Sequence, residues 1–265
     1  MQPLLNIAVR AARRAGEVIV RSLNRAPALE ARQKSRNDFV TEVDHRAEQE
    51  IIATIRRSHP DHAFLAEESG RSGDSEFVWI VDPLDGTTNF LHGFPQFCVS
   101  IALEVRGRLE HGVIYDPMRQ ELYTASRGDG AQLDGRRIRV SRAQGLDGSL
   151  IATGFPYRAN VRYLDAYLAM LRTVIECTAG VRRPGSAALD LAYVAAGRVD
   201  AFWEIGLSAW DTAAGTLLII EAGGMVTTLR GAEYRQSGHL VAGSPKVHAQ
   251  LLEALAPHVP DDLTP

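Results

Sequence analysis

Between residues 97 and 140 the chain breaks into four short apolar runs, at 97–103, 112–115, 121–125 and 137–140. The turn sequences Val105-Arg106-Gly107-Arg108, Asp116-Pro117, Gly128-Asp129-Gly130 and Asp134-Gly135 separate them. Runs this short, joined this tightly, leave no room for crossover helices, so they read as an antiparallel meander. Two further strands are expected upstream, at 63–66 and 77–81, with a Gly/Ser loop at 69–75 between them. Leu4, Ile7, Ala8, Ala11, Ala15, Val18 and Ile19 recur at helical spacing and predict a helix over 3–24. Pro27 and the polar stretch 32–38 break it. A second helix starts at Thr41 and Asp44, which have capping-box spacing, presents Ala47, Ile51 and Ile55 on one face, and ends at Ser58-His59-Pro60. This half is α+β.

After residue 149 the rhythm changes. Strands are expected at 150–152, 199–203, 225–228 and 239–242. Helices are expected at 161–175, 187–196, 212–222 and from about 246 onward. This alternation reads as α/β. The break at 141–149 divides the chain into 1–145 and 146–265, and no repeat is evident.

With 265 residues, 45% apolar and 23% charged, the chain can bury an ample core. A net charge of −3 gives no whole-chain reason to expect nucleic acid or an anionic membrane. The pairs Arg136-Arg137 and Arg182-Arg183 read as solvated surface. No apolar run reaches about 18 residues, so no membrane span is expected. The N-terminus has arginines inside a helical pattern and lacks a signal peptide's cleavage site. Cys98 and Cys177 stand alone in apolar contexts, as small core residues of a reducing cytosol do. The expected location is cytoplasmic.

The acids carry the chemistry. Glu67, Asp82 and Glu204 each follow an expected strand, where open sheets build ligand sites. Asp85 lies in the turn after Asp82. Asp211 precedes one expected helix and Asp44 lies in the first turn of another, so each also has a plain reading as a helix cap. Asp82-Pro83-Leu84-Asp85 holds two carboxylates close, and they repel unless a cation lies between them. Oxygen donors without nearby His or Cys favour Mg²⁺ or Mn²⁺ over zinc, and the Leu84 carbonyl is free as a neutral ligand. If Asp85 opens a helix, Gly86, Thr87 and Thr88 offer unpaired N–H groups to a phosphate. Metal ions beside a phosphate pocket make a phosphate-ester cleavage site. Ser186, in Gly185-Ser186-Ala187, has no flanking histidine or nucleophile elbow and reads as a helix N-cap.

Four motifs resemble the inositol monophosphatase family, within the lithium-sensitive, Mg²⁺-dependent phosphatase superfamily. They are Phe39-Val40-Thr41-Glu42-Val43-Asp44, Glu67-Glu68, the run WIVDPLDGTTNF at 79–90, and Trp210-Asp211-Thr212-Ala213-Ala214-Gly215 through Glu221-Ala222-Gly223-Gly224. The resemblance spans essentially the whole chain. It implies a layered αβαβα sandwich and a homodimer. It implies one Mg²⁺ held by Glu67, Asp82 and the Leu84 carbonyl, a second held by Asp82, Asp85 and Asp211, and a looser third near Glu67. Thr87, bonded to Asp44, would help Glu67 position and deprotonate the attacking water. Gly86 and Thr87 N–H groups would bind phosphate. Asp85, the Ala187 N–H, Glu204 and Asp211 would border the sugar-alcohol, and Lys34 matches a basic residue on a loop near the metals.

Phosphoadenosine, fructose bisphosphate and histidinol phosphatases share the metal motif. The Thr88-Asn89-Phe90 ending resembles the inositol enzymes instead, and Glu204 would repel a second phosphate. The stretch Arg182-Arg183-Pro184-Gly185-Ser186-Ala187-Ala188-Leu189-Asp190-Leu191-Ala192 resembles bacterial members that also join a ribosomal-RNA antitermination complex. That implies a possible contact with RNA polymerase or its Nus factors, although Pro184 has no evident meaning in that comparison. A purely structural reading must make five carboxylates at element ends, beside a Gly-Thr-Thr turn, an accident.

Overall fold

A computed structural model describes residues 3–23, 32–35, 38–236 and 238–263. The chain opens with α1 (Pro3–Ser22), the pair β1 (Arg32–Ser35) and β2 (Asp38–Val40), and α2 (Glu42–Arg56). Then come β3 (Ala63–Ala66), β4 (Gly70–Ser72), β5 (Phe77–Asp85) and the short α3 (Thr87–Leu91). The meander follows as β6 (Cys98–Val105), β7 (Arg108–Asp116), β8 (Glu121–Ser126), β9 (Gly130–Leu133) and β10 (Arg136–Arg137). The second half holds β11 (Leu150–Thr153), α4 (Leu164–Cys177), β12 (Gly180–Arg182), α5 (Ala187–Ala195) and β13 (Ala201–Leu207). It ends with α6 (Ala209–Glu221), β14 (Met225–Thr228), β15 (Gly238–Gly243) and α7 (Pro245–Leu255).

Eight strands form one sheet in the order β10-β9-β8-β7-β6-β5-β3-β4, antiparallel except where β3 runs parallel to β5. Five form a second sheet, β12-β11-β13-β15-β14, whose first three strands are parallel. Period-two alternation sorts β5 between two cores. Trp79 and Val81 face α1 and α2, while Val78 and Ile80 face α5 and α6. The other face of α5 and α6 meets Phe202 and Ala242 of the second sheet. That sheet's far side buries Trp203 and Val241 against Tyr167 and Met170 of α4 and Leu251 of α7. The result is five layers, αβαβα, the layered fold expected.

Several boundaries differ from expectation. Strand 137–140 is only the two-residue β10, β4 falls within the expected 69–75 loop, and β9 and β12 lie where no strand is expected. α6 begins at Ala209, so Asp211 lies inside its first turn. β13 runs through Glu204 to Leu207, because Ile205 and Leu207 stay buried beyond it. Glu204 is therefore a mid-strand residue. β5 continues to Asp85, and Gly86, not Asp85, takes the N-cap position of α3. Among the described residues, no helix is long and apolar enough to cross a membrane.

Candidate active site

The central acids owe their convergence to an irregularity in β5. Asp82 pairs with Ser100 and Asp85 with Cys98, so three steps along β5 match two along β6. The extra residue is a bulge, which re-aims side chains locally. The Leu84 N–H donates to Asp82 Oδ1 at 3.0 Å and tightens the loop. Glu67 follows β3 directly, and its N–H donates to the Val81 carbonyl, which sets it beside Asp82 across the parallel pair. Asp211 arrives from α6, where its Oδ2 accepts from the Ser208 N–H at 2.6 Å in a capping box. One oxygen each of Asp82, Asp85 and Asp211 lies within 4.8 Å of the others, an arrangement that could hold a metal ion.

Burial first, then the charges of Glu67, Asp85 and Asp211, drives the Asp82 carboxyl well above the ordinary carboxylate range. A cation would reverse that repulsion. The Asp85 carboxyl is also raised by burial, although Ser186, Ala188, Ala187 and Cys98 donate toward it. Its Oδ2 takes the Ser186 hydroxyl at 2.6 Å and the Ala188 N–H at 2.7 Å, while the Cys98 thiol lies 3.9 Å away. Ser186 does hold the N-cap position of α5, but its side chain caps no helical N–H and is spent on Asp85 instead.

Beside the acids, Gly86 turns the chain with φ 97°. An added Cβ there would lie 2.8 Å from the Gln96 carbonyl oxygen, so only glycine fits. Thr87 follows. Its Oγ1 donates to Asp44 Oδ1 at 2.9 Å, with the Leu84 carbonyl 3.1 Å away. Asp44 is 1% exposed, and its Oδ2 takes the Thr41 N–H and hydroxyl at 2.9 and 2.6 Å. Burial raises its carboxyl, against the lowering effect of the Thr41 and Thr87 bonds. The capping box expected at Thr41 and Asp44 is thus present and also serves Thr87.

These groups line one cleft of about 340 Å³, together with Glu67, Leu84, Ala187 and Glu204. Of the residues singled out in the sequence, Asp44 stands behind it, bonded to Thr87, and the Lys34 side chain lies outside the described residues. Glu204, from β13, lines the same cleft. Its carboxylate occupies the space a Cβ on residue 154 would fill, so Gly154 is what admits it. Burial, then Asp211, pushes its carboxyl well up, while Arg183 opposes.

Two cleft residues escaped the sequence reading. Asp190 is 1% exposed, and its carboxyl is raised far by burial and then by Glu204 and Asp85. The available signal was a single acid in the otherwise apolar helix AALDLAYVA. Arg183 is not solvated surface. Its guanidinium lies 4.6 Å from the Phe155 ring centroid and 5.2 Å from that of Tyr157, half-buried at the cleft edge. Arg136 and Arg137 are exposed, as expected.

The profile of the inositol monophosphatase family matches residues 1–261. The chain belongs to this family. It is 55% identical over 269 residues to the Nus factor SuhB of Pseudomonas aeruginosa, with 99% of each chain covered. The crystal structure of extragenic suppressor protein suhB from Bartonella henselae superposes with a TM-score of 0.93 at 45% identity, over 96% of this chain and 98% of that one. Inositol monophosphatase from Anabaena sp. PCC 7120 superposes at 0.84 and 41% identity, over 97% and 96%. Family membership accords with the layered fold and with an acidic cluster suited to a metal ion.

Proposed function

We propose that the protein is a Mg²⁺-dependent phosphomonoesterase that hydrolyses inositol monophosphates and similar polyol phosphates to the free alcohol and phosphate. The observation that supports this best is the convergence of Asp82, Asp85 and Asp211 oxygens within 4.8 Å, beside a threonine whose hydroxyl is bonded to a buried aspartate. The donor set is all oxygen: carboxylates and the Leu84 carbonyl, with no imidazole. It fits Mg²⁺, with Mn²⁺ as a substitute, and does not fit zinc. Glu67, Asp82, Leu84, Asp85 and Asp211 would hold the ions. When bound, they supply charge neutralisation for the phosphoryl group and a water of lowered pKa.

The chain's own residues do the rest. Thr87 commits its proton to Asp44, so its oxygen is left as an acceptor that orients a water. Glu67 takes the proton from that water. The Gly86 and Thr87 N–H groups bind phosphate oxygens, and the Ala187 N–H and Glu204 bind alcohol hydroxyls, with Asp85 and Asp211 alongside. Such positioning and electrostatics are what phosphoryl transfer needs, because little covalent work falls to the protein. Phosphate release with Mg²⁺ from inositol 1-phosphate, glycerol 2-phosphate, phosphoadenosine phosphate, fructose bisphosphate and histidinol phosphate tests the assignment. Fastest turnover of inositol 1-phosphate supports it, and no release from any ester would sink it.

A second role is favoured by one specific finding: relatives at 55% and 52% identity are named Nus factor SuhB. On this reading the chain also contacts RNA polymerase or its Nus factors in ribosomal-RNA antitermination, from a homodimer in the cytoplasm. Pull-down with purified polymerase and Nus proteins distinguishes the two. If Asp82→Asn still binds them while losing turnover, both roles stand and are separable.

A further inference from the structure

The catalytic reading leaves two cleft side chains without a task. Asp190 Oδ1 is buried with no hydrogen-bond partner, and so is Arg183 Nε. Both residues line the cleft, flanking the Gly185–Ala187 turn in sequence, with Glu204 as the third charged group in the same quarter. Buried polar groups are almost always satisfied, so an orphan acceptor and an orphan donor in one cleft call for an explanation. They do not satisfy each other: Arg183 closes no ion pair within 4.0 Å with Asp190 or Glu204. Its guanidinium is instead held against the Phe155 and Tyr157 rings, with Nη1 turned back under Gly185.

The chemistry of the missing partner follows by elimination. An ionised carboxylate only accepts and a guanidinium only donates. A cationic ligand would satisfy Asp190 and Glu204 but leave Arg183 unpaired. A second phosphate would satisfy Arg183 but meet two carboxylates. Neighbouring hydroxyls do both, since each O–H donates to a carboxylate while its oxygen accepts from the guanidinium. Asp190 itself lines the cleft, so its carboxyl is within reach of an occupant.

We propose that Asp190 and Arg183 are specificity-determining residues which, with Glu204, bind a pair of neighbouring hydroxyls on the leaving alcohol. This rests on the phosphatase reading above and deepens it. A site built to hydrogen-bond a hydroxyl discriminates strongly against an analogue lacking it, because the buried groups are then left unpaired.

The test compares inositol 1-phosphate with cyclohexyl phosphate, the same ring without hydroxyls, by kcat/KM with Mg²⁺. The unaltered protein prefers the inositol ester. Asp190→Leu, which keeps the branch at Cγ and removes the acceptors, lowers the ratio of the two kcat/KM values at least about tenfold, mainly by raising KM for the inositol ester. Arg183→Met does the same. Melting temperature and calorimetric Mg²⁺ uptake verify that each variant is folded, and Asp190→Asn replaces the leucine variant if that one is not. An unchanged ratio in folded variants overturns the proposal, as does a parallel loss on both esters. If the unaltered protein hydrolyses neither ester, the phosphatase reading itself falls, a result distinct from an unchanged ratio.

Discussion

Asp82 is the residue most burdened by its surroundings: fully buried and facing three like charges. Replacing it with Asn relieves the repulsion and removes the charge a divalent ion needs. Asp82→Asn is therefore expected to lower turnover of inositol 1-phosphate by at least about a hundredfold, since even loss of a partner behind a metal ligand costs 10–100-fold. Unaltered Mg²⁺ uptake by calorimetry would contradict this. Thr87 offers a second check. Removing its hydroxyl breaks the link to Asp44, and a group that orients or activates water is worth about 10²–10⁴-fold. Thr87→Ala should lose about a hundredfold in kcat, and Thr87→Ser should recover most of it. These residues were legible because their chemistry is local: an acid pair around a proline, then a glycine turn. Asp190 and Arg183 were not. Their significance comes from burial against Glu204, Phe155 and Tyr157, residues 14, 28 and 26 positions away, and no neighbour in sequence announces it. Ser186 was placed correctly at a helix start, yet its hydroxyl serves a carboxylate 101 residues away.

At the scale of elements, the site is assembled from terminations and irregularities: the bulge of β5, the cap of α2 and the first turn of α6. The α2 cap illustrates how folding and function share one bond set. The Thr41 hydroxyl donates to Asp44 and accepts from the Val43 N–H. Thr41→Val keeps shape but loses both contacts. It should cost about 1–2 kcal/mol of stability, the range for a lost N-cap, and also lower kcat by loosening Asp44, without moving residues that touch substrate. A melting curve and a kcat measured on the same preparation test both halves of that statement. The long apolar segments were readable because burial on one or both faces imposes a period. Strands such as β4, β10 and β12, of two or three residues, are too short to show one. β13 was cut short at Glu204 because a carboxylate normally ends a buried strand. Here the cleft admits it through Gly154, a contact from β11's end that sequence spacing does not reveal.

Over the whole molecule, the cleft exists only where layers meet. Glu67, Asp82 and Asp85 come from the eight-stranded sheet, Asp190 and Asp211 from the middle helices, and Glu204 from the five-stranded sheet. Folding therefore drives like charges together, and that has a signed consequence for stability. Asp82 has a folded-state pKa raised above its unfolded value of about 3.9, and Asp85, Asp190 and Glu204 shift the same way. A raised carboxyl binds its proton more tightly when folded. Its contribution is fully favourable below the unfolded value and is lost as pH climbs through the folded one. Metal-free protein should thus lose stability as pH rises from the ordinary carboxylate range toward neutrality. If Mg²⁺ binds the ionised cluster as proposed, it should restore what the rise removes, and its stabilisation should grow with concentration over Kd. In melts with chelator or with saturating Mg²⁺, the Mg²⁺-induced gain in Tm is expected to be larger at pH 7.5 than at pH 5. A gain that is equal at both, or larger at the acid pH, would mean that protons and cations do not compete for these carboxylates.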